Sequence, residues 1–166
     1  MSEYKENVPA RWLRWVPAES LIASIRAYQR YRGRSGILAL IMRKIARLRH
    51  IFWSVLTASD IDPEATLGEG LNLPHPNGVI IHRNVVIGSG CMIMQQVTIG
   101  QTSDPRVPVI GENVYIGAGA KILGPINIGD GARIGANAVV LDNLPAHCTA
   151  VGIPARIVRS RSLSQE

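Results

Sequence analysis

The chain has 166 residues, 46% of them hydrophobic but with a single Phe, and carries 18 Lys and Arg against 12 Asp and Glu. That length suits one domain with an appendage. The mean hydropathy of +0.12 and the lack of any apolar run near the ~20 residues of a membrane span argue against a membrane-crossing helix. The N-terminal MSEYKENVPARW holds no signal-peptide hydrophobic region, so the expected location is cytoplasmic.

Charge is unevenly placed. Residues 1–59 carry eleven Lys and Arg against Glu3, Glu6 and Glu19, whereas the remainder carries seven against nine. The basic character therefore belongs to the N-terminal segment. No basic stripe with interleaved aromatics follows, so nucleic acid is not an expected partner. Two cysteines make no disulfide framework. His50, His75, His82 and His147 are scattered without ligand spacing, and no metal is expected.

Residues 1–16 read as a polar, weakly helical lead-in with Trp12 and Trp15. Pro17 suits the first position of a helix, and Ala18 to Arg32 places Leu21, Ile25 and Tyr28 on one face before Gly33 and Gly36 break it. Residues 37–56 form a second helix, with Leu38, Ile41, Ile45, Leu48, Phe52 and Val55 at three- and four-residue spacing and Arg43, Lys44, Arg47 and Arg49 largely opposite. Helices this short need a partner surface. The base of the segment that follows or a neighbouring subunit would serve, and the rival is peripheral contact with a membrane through this basic amphipathic pair.

From Ile61 onward an aliphatic residue returns every sixth position, usually beside Gly: Ile61, Leu67, Leu73, Ile81, Ile87, Ile93, Ile99, Ile110, Ile116, Ile122, Ile128, Ile134 and Val140. A six-residue period fits neither a 3.6-residue helix nor alternating hairpin strands; it is the signature of a hexapeptide β-helix. The aliphatic points inward, and a second residue four positions on (Val114, Ala120, Ile126, Ala132, Ala138) joins it. Cys91 falls on that second inward position, Cys148 in a C-terminal turn, and His50 and His147 on the surface. The tail 159–166 is expected to be disordered.

Two steps break the period. Two extra residues lie between Leu73 and Ile81, around Pro74-His75-Pro76-Asn77-Gly78, and five between Ile99 and Ile110, around Gln101 to Pro108. A solenoid core cannot absorb insertions, so both bulge outward, and excursions from a rigid scaffold are where function is usually placed. His75 is the natural general base for taking a hydroxyl proton near neutral pH.

These residues resemble a family. Asp60-Ile61-Asp62-Pro63, the Leu73-Pro74-His75 corner with Gly78-Val79-Ile80-Ile81, Gln95-Gln96-Val97-Thr98-Ile99-Gly100, the run Ile116 to Gly124 and Val151 to Ile157 are similar to the hexapeptide-repeat acyltransferases, and within them to the serine acetyltransferase type. The resemblance implies a mainly β fold, a left-handed parallel β-helix over residues 60–158 behind an α-helical segment over 1–59. It also implies a homotrimer that binds acetyl-CoA between subunits. On the same ground Asp60 orients His75, Arg106 holds the acceptor, and Ala118 and Ala136 line the pantetheine groove. Arg156 meets the nucleotide end of CoA, and Lys121 either joins the cofactor site or is a solvated turn residue. Two departures concern the acceptor: Pro74 stands where the family has Asp, and Arg106-Val107-Pro108 where it has Arg-His-Pro. The expected activity is acetyl transfer from acetyl-CoA to serine or a similar hydroxyl, with a sugar hydroxyl or a non-catalytic scaffold as the alternatives.

Overall fold

The computed structural model describes residues 17–160; the lead-in with Trp12 and Trp15, and residues 161–166, lie outside the described residues. Pro17–Arg32 forms helix α1 and Ile37–Thr57 helix α2. Each hexad except that of Leu73 then contributes one short strand: β1 Asp60–Ile61, β2 Thr66–Leu67, β3 Ile80–Ile81, β4 Val86–Ile87, β5 Met92–Ile93, β6 Thr98–Gly100, β7 Val109–Ile110, β8 Tyr115–Ile116, β9 Lys121–Leu123, β10 Asn127–Ile128, β11 Arg133–Ile134 and β12 Val139–Val140. The chain closes with β13 Cys148–Val151 and β14 Arg156–Ser160.

Consecutive strands turn onto three different sheets. Sheet A runs β1-β3-β6-β9-β12, sheet B β10-β7-β4-β2, and sheet C β14-β13-β11-β8-β5. All pairings are parallel except that of β13 with β14, which folds the end back as an antiparallel hairpin. The third face of the first coil reduces to a single bridge from Asn72 to Met92. The result is a three-sided parallel β-helix in which one inward residue per strand fills the axis. All thirteen period-six aliphatics are buried, none more than 4% exposed, and Ala65, Val85, Cys91, Val97, Val114, Ala120, Ala132 and Ala138 stack beside them at 0–1%. Cys148 corrects its expected position: it is not in a turn but opens β13, fully buried. Its backbone continues the sheet C ladder, because Thr149 and Ala150 pair with Arg133 and Ile134.

A β-helix ends in open backbone and an exposed core layer, and α1 covers the first coil as a cap. Leu21 and Ile25, both 0% exposed, join the same core cluster as Ile61 and Leu67. Arg26 donates from both terminal guanidinium nitrogens to the carbonyls of Leu67 and Gly68, each at 2.6 Å, and Gln29 Nε2 donates to those of Pro63 and Ala65. These satisfy carbonyls that no further coil reaches.

Helix α2 packs on α1 through Ala39, Ala46 and His50. His50 corrects a second expectation, because it is 7% exposed rather than on the surface. Its ring sits between Ser24 Oγ and Ser54 Oγ, each 3.4 Å from one ring nitrogen. Burial lowers its pKa below 6.5, outweighing the nearby Asp62 and Asp60. A lowered folded pKa means that the unfolded chain binds the proton first, so stability is present above pH 6.5 and falls as pH drops below it. Denaturant midpoints measured across that window are expected to fall toward acid in the wild type, with a flatter profile in His50→Gln.

Candidate active site

The path from sheet C to sheet A makes one edge of the prism, and successive coils stack there through single backbone hydrogen bonds. Gln96 N–H donates to Asn77 O, Gly119 N–H to Gln95 O, and Asn137 N–H to Ala118 O, at 2.8–2.9 Å. Four of the candidate residues therefore share this edge or its start: His75 in the first bulge, Ala118 and Ala136 in the third and fourth corners, and Lys121 just beyond the third. Close stacking dictates small residues. Gly119 has φ +73°, and a Cβ there would lie 2.1 Å from Asn137 Oδ1, so a larger residue would displace that side chain; the equivalent turns of the neighbouring coils carry Gln96 and Asn137 at positive φ.

His75 projects from a short leash. Leu73, 1% exposed, and Pro76, also buried, pin the bulge on either side, while His75 itself is exposed. Asp60 opens β1 directly opposite Ile80 at the other end of the bulge, and its N–H donates to Val79 O at 2.9 Å. Gly78 N–H donates to Ala58 O at 2.9 Å, tying the bulge to the segment before Asp60. Asp60, Gly78 and Ile80 line an open depression of about 320 Å³ together with Ser54, Val55, Ala58 and Ser59. Backbone pairing thus sets the bulge that carries His75 beside the start of β1 that carries Asp60, with no hydrogen bond between the two side chains.

The other candidates are placed differently. Lys121 is a half-buried strand residue rather than a turn residue, and its ammonium reaches back along the edge to donate to Gln96 O at 2.7 Å. Arg106 lies in the loop joining β6 of sheet A to β7 of sheet B, and thus on a different edge from His75. Its Nε and Nη2 grip Asp104 at 3.0 and 2.6 Å, and that pairing holds the Asp104 carboxyl down at about 2. Arg156 is exposed on β14 and donates to Asp142 at 3.2 Å. A larger cavity, about 580 Å³, lies toward the far end of the helix among Gly131, Arg133, His147, Thr149 and Arg159, away from both His75 and Asp60.

Gln95 carries no acid, base or nucleophile that would mark it in the sequence. It occupies the edge position of the coil between His75 and Ala118, and its Oε1 is buried with no hydrogen-bond partner among the protein atoms, leaving it to water or a bound molecule. The signal was present: Gln95-Gln96 stands where the next two coils carry Ala118-Gly119 and Ala136-Asn137. Among the described residues no group of three His, Cys, Asp or Glu side chains could hold a metal ion.

Residues 108–142 match the family model for the bacterial transferase hexapeptide, six repeats. The serine acetyltransferase of Synechococcus elongatus is 39% identical over 143 residues, covering 84% of this chain and 56% of its own length. A solved serine acetyltransferase in complex with CoA superposes with a TM-score of 0.73 at 37% identity, over 87% of this chain and 58% of that one. A soybean serine acetyltransferase complexed with serine gives 0.72 at 39%, over 83% and 56%. The chain spans about half the length of the curated relatives it matches. Three parallel sheets around an aliphatic ladder, with the bacterial transferase hexapeptide matched over residues 108–142, make this a hexapeptide-repeat β-helix. Over that domain the chain is similar to the serine acetyltransferases.

Proposed function

We propose that the chain transfers the acetyl group of acetyl-CoA to the hydroxyl of serine, with His75 as general base. The observation that carries this is the shared edge: His75, Gln95, Ala118 and Ala136 occupy successive coils of one corner, a straight track along which an extended pantetheine arm can lead its thioester toward the imidazole. Neutral His75 takes the serine hydroxyl proton as the oxygen attacks the thioester carbon. The tetrahedral adduct then collapses, the carbon–sulfur bond breaks, and the imidazolium returns the proton to the departing CoA thiolate. Asp60, at the same corner, orients the ring and stabilises its charged form. Backbone N–H groups of the small corners are available to the developing oxyanion, with Lys121 and Arg156 toward the cofactor. The relatives solved with CoA and with serine support both substrates for this chain.

His75 and Arg106 sit on different edges of one prism, so a site that uses both takes them from two copies. A cyclic homotrimer sets the edge carrying Arg106 of one copy beside the edge carrying His75 of the next. Arg106 then offers the serine carboxylate a guanidinium, in competition with Asp104.

Serine-dependent release of CoA thiol from acetyl-CoA tests the function, with the mass by sedimentation equilibrium testing the trimer. Absence of serine turnover overturns the acceptor. A second reading, a sugar hydroxyl as acceptor, draws on Pro74, on apolar Val107 and on an Arg106 already paired to Asp104; turnover of nucleotide sugars in the same assay, with serine inert, would select it.

A further inference from the structure

The apolar stripe of α2 faces away from the protein. Leu38, Leu48, Phe52 and Val55 are 69, 67, 58 and 78% exposed, and Ile41 and Ile45 lie between them. The opposite side of the helix, Ala39, Ala46 and His50, is buried toward α1. This inverts an ordinary surface helix, whose apolar side turns inward.

Charge decides what can cover the stripe. Helix α2 contains Arg43, Lys44, Arg47 and Arg49 and no acidic residue. Across residues 17–57 there are eight Lys and Arg against Glu19 alone. At 100° per residue, Lys44 and Arg49 fall on the two margins of the stripe, with Arg47 further round on the Lys44 side. A cavity of about 300 Å³ on one flank is lined by Arg43, Lys44 and Arg47 with Tyr28 and Leu40, three cations around a space that would take a phosphate group. Pairing two copies through this face would bring the cationic margins together with no α2 carboxylate to offset them. No helix among the described residues is long and apolar enough to cross a membrane.

We infer that α2 lies in the plane of an anionic phospholipid surface, its apolar stripe among the acyl chains and a lipid phosphate among Arg43, Lys44 and Arg47. Cationic margins around an outward apolar stripe are the arrangement of an interfacial amphipathic helix. Val55, at the end of the stripe, also lines the depression beside Asp60, whereas Arg43, Lys44 and Arg47 line a different cavity; the vesicle test does not depend on acetyl transfer.

The full chain is sedimented with vesicles of phosphatidylcholine alone and of phosphatidylcholine mixed with phosphatidylglycerol. Binding is expected only to the mixed vesicles and to weaken as salt rises. Leu48→Glu, at an exposed position whose loss does not threaten the fold, is expected to weaken it by about tenfold or more. Arg43→Gln and Arg47→Gln are each expected to weaken it by about fivefold, and Leu38→Glu should act like Leu48→Glu. Serine-dependent thiol release without lipid should be unchanged in all four. Failure of the wild type to bind mixed vesicles overturns the proposal, as does equal binding by wild type and Leu48→Glu. Failure to bind, with Leu48→Glu splitting a larger assembly in analytical ultracentrifugation, would assign the face to a second copy instead.

Discussion

His75→Ala is expected to lower kcat for acetyl transfer by about 10²–10⁴-fold, the range a general base contributes, with little change in the KM for acetyl-CoA. The substitution is clean because the side chain is exposed and makes no hydrogen bond whose loss would disturb the bulge. Leu73 and Pro76 anchor the loop from either side and are untouched. A circular dichroism spectrum and thermal midpoint matching the wild type would therefore accompany the lost rate. His82→Ala provides the contrast. That ring lies in the corner between β3 and β4, on the edge that carries Arg106 one coil on, where its Nδ1 accepts a 3.3 Å hydrogen bond from Asn84 N–H, and its loss should lower turnover far less than that of His75. Wild-type thiol release by His75→Ala would remove the histidine from the mechanism.

Gly88→Val is expected to cost at least about 3 kcal/mol, the upper end for overpacking, and to leave much of the chain insoluble. Gly88 follows β4 at the corner between sheets B and C, where a Cβ would lie 2.5 Å from Gly111 O, 2.6 Å from Gly111 C and 2.8 Å from Glu112 N. All three atoms are backbone of the next coil. They cannot swing aside as a flexible side chain could, and separating the coils would break flanking bonds such as Gly88 N–H to Ile110 O at 2.9 Å. Gly33→Ala is the control: nothing lies within 4 Å of a Cβ there, so denaturant midpoints should stay within about 0.5 kcal/mol of wild type. An equal effect at both positions would contradict coil stacking as the constraint.

The repeat was readable because its period admits one arrangement. Every sixth side chain points to one axis, and the buried set from Ile61 to Val140 follows from counting. The two insertions were equally visible, since a displaced Ile81 or Ile110 shifts the count. Their edges were visible too, with one further step: counting hexads in threes puts the His75 bulge between the third and first faces and the Arg106 loop between the first and second. What counting could not supply was Gln95, whose significance rests on an oxygen left unpaired by packing, or β14, which departs from the period and pairs antiparallel with β13.

The helices show where local pattern stops. Their existence and their apolar stripes are properties of residues three and four apart, so the chain alone specifies them. Which stripe turns inward is a competition between surfaces distant in sequence. The open first coil takes Leu21, Ile25 and Arg26 of α1, and α1 then accepts the small residues of α2, Ala39 and Ala46, because they allow close approach. His50 is buried as a consequence and the larger stripe is left outside. Local periodicity thus sets the solenoid, its inward ladder and the position of its interruptions, whereas the outward turn of α2, the burial of His50 and the gathering of Asp60, His75 and Gln95 at one edge exist only once the coils and helices have packed.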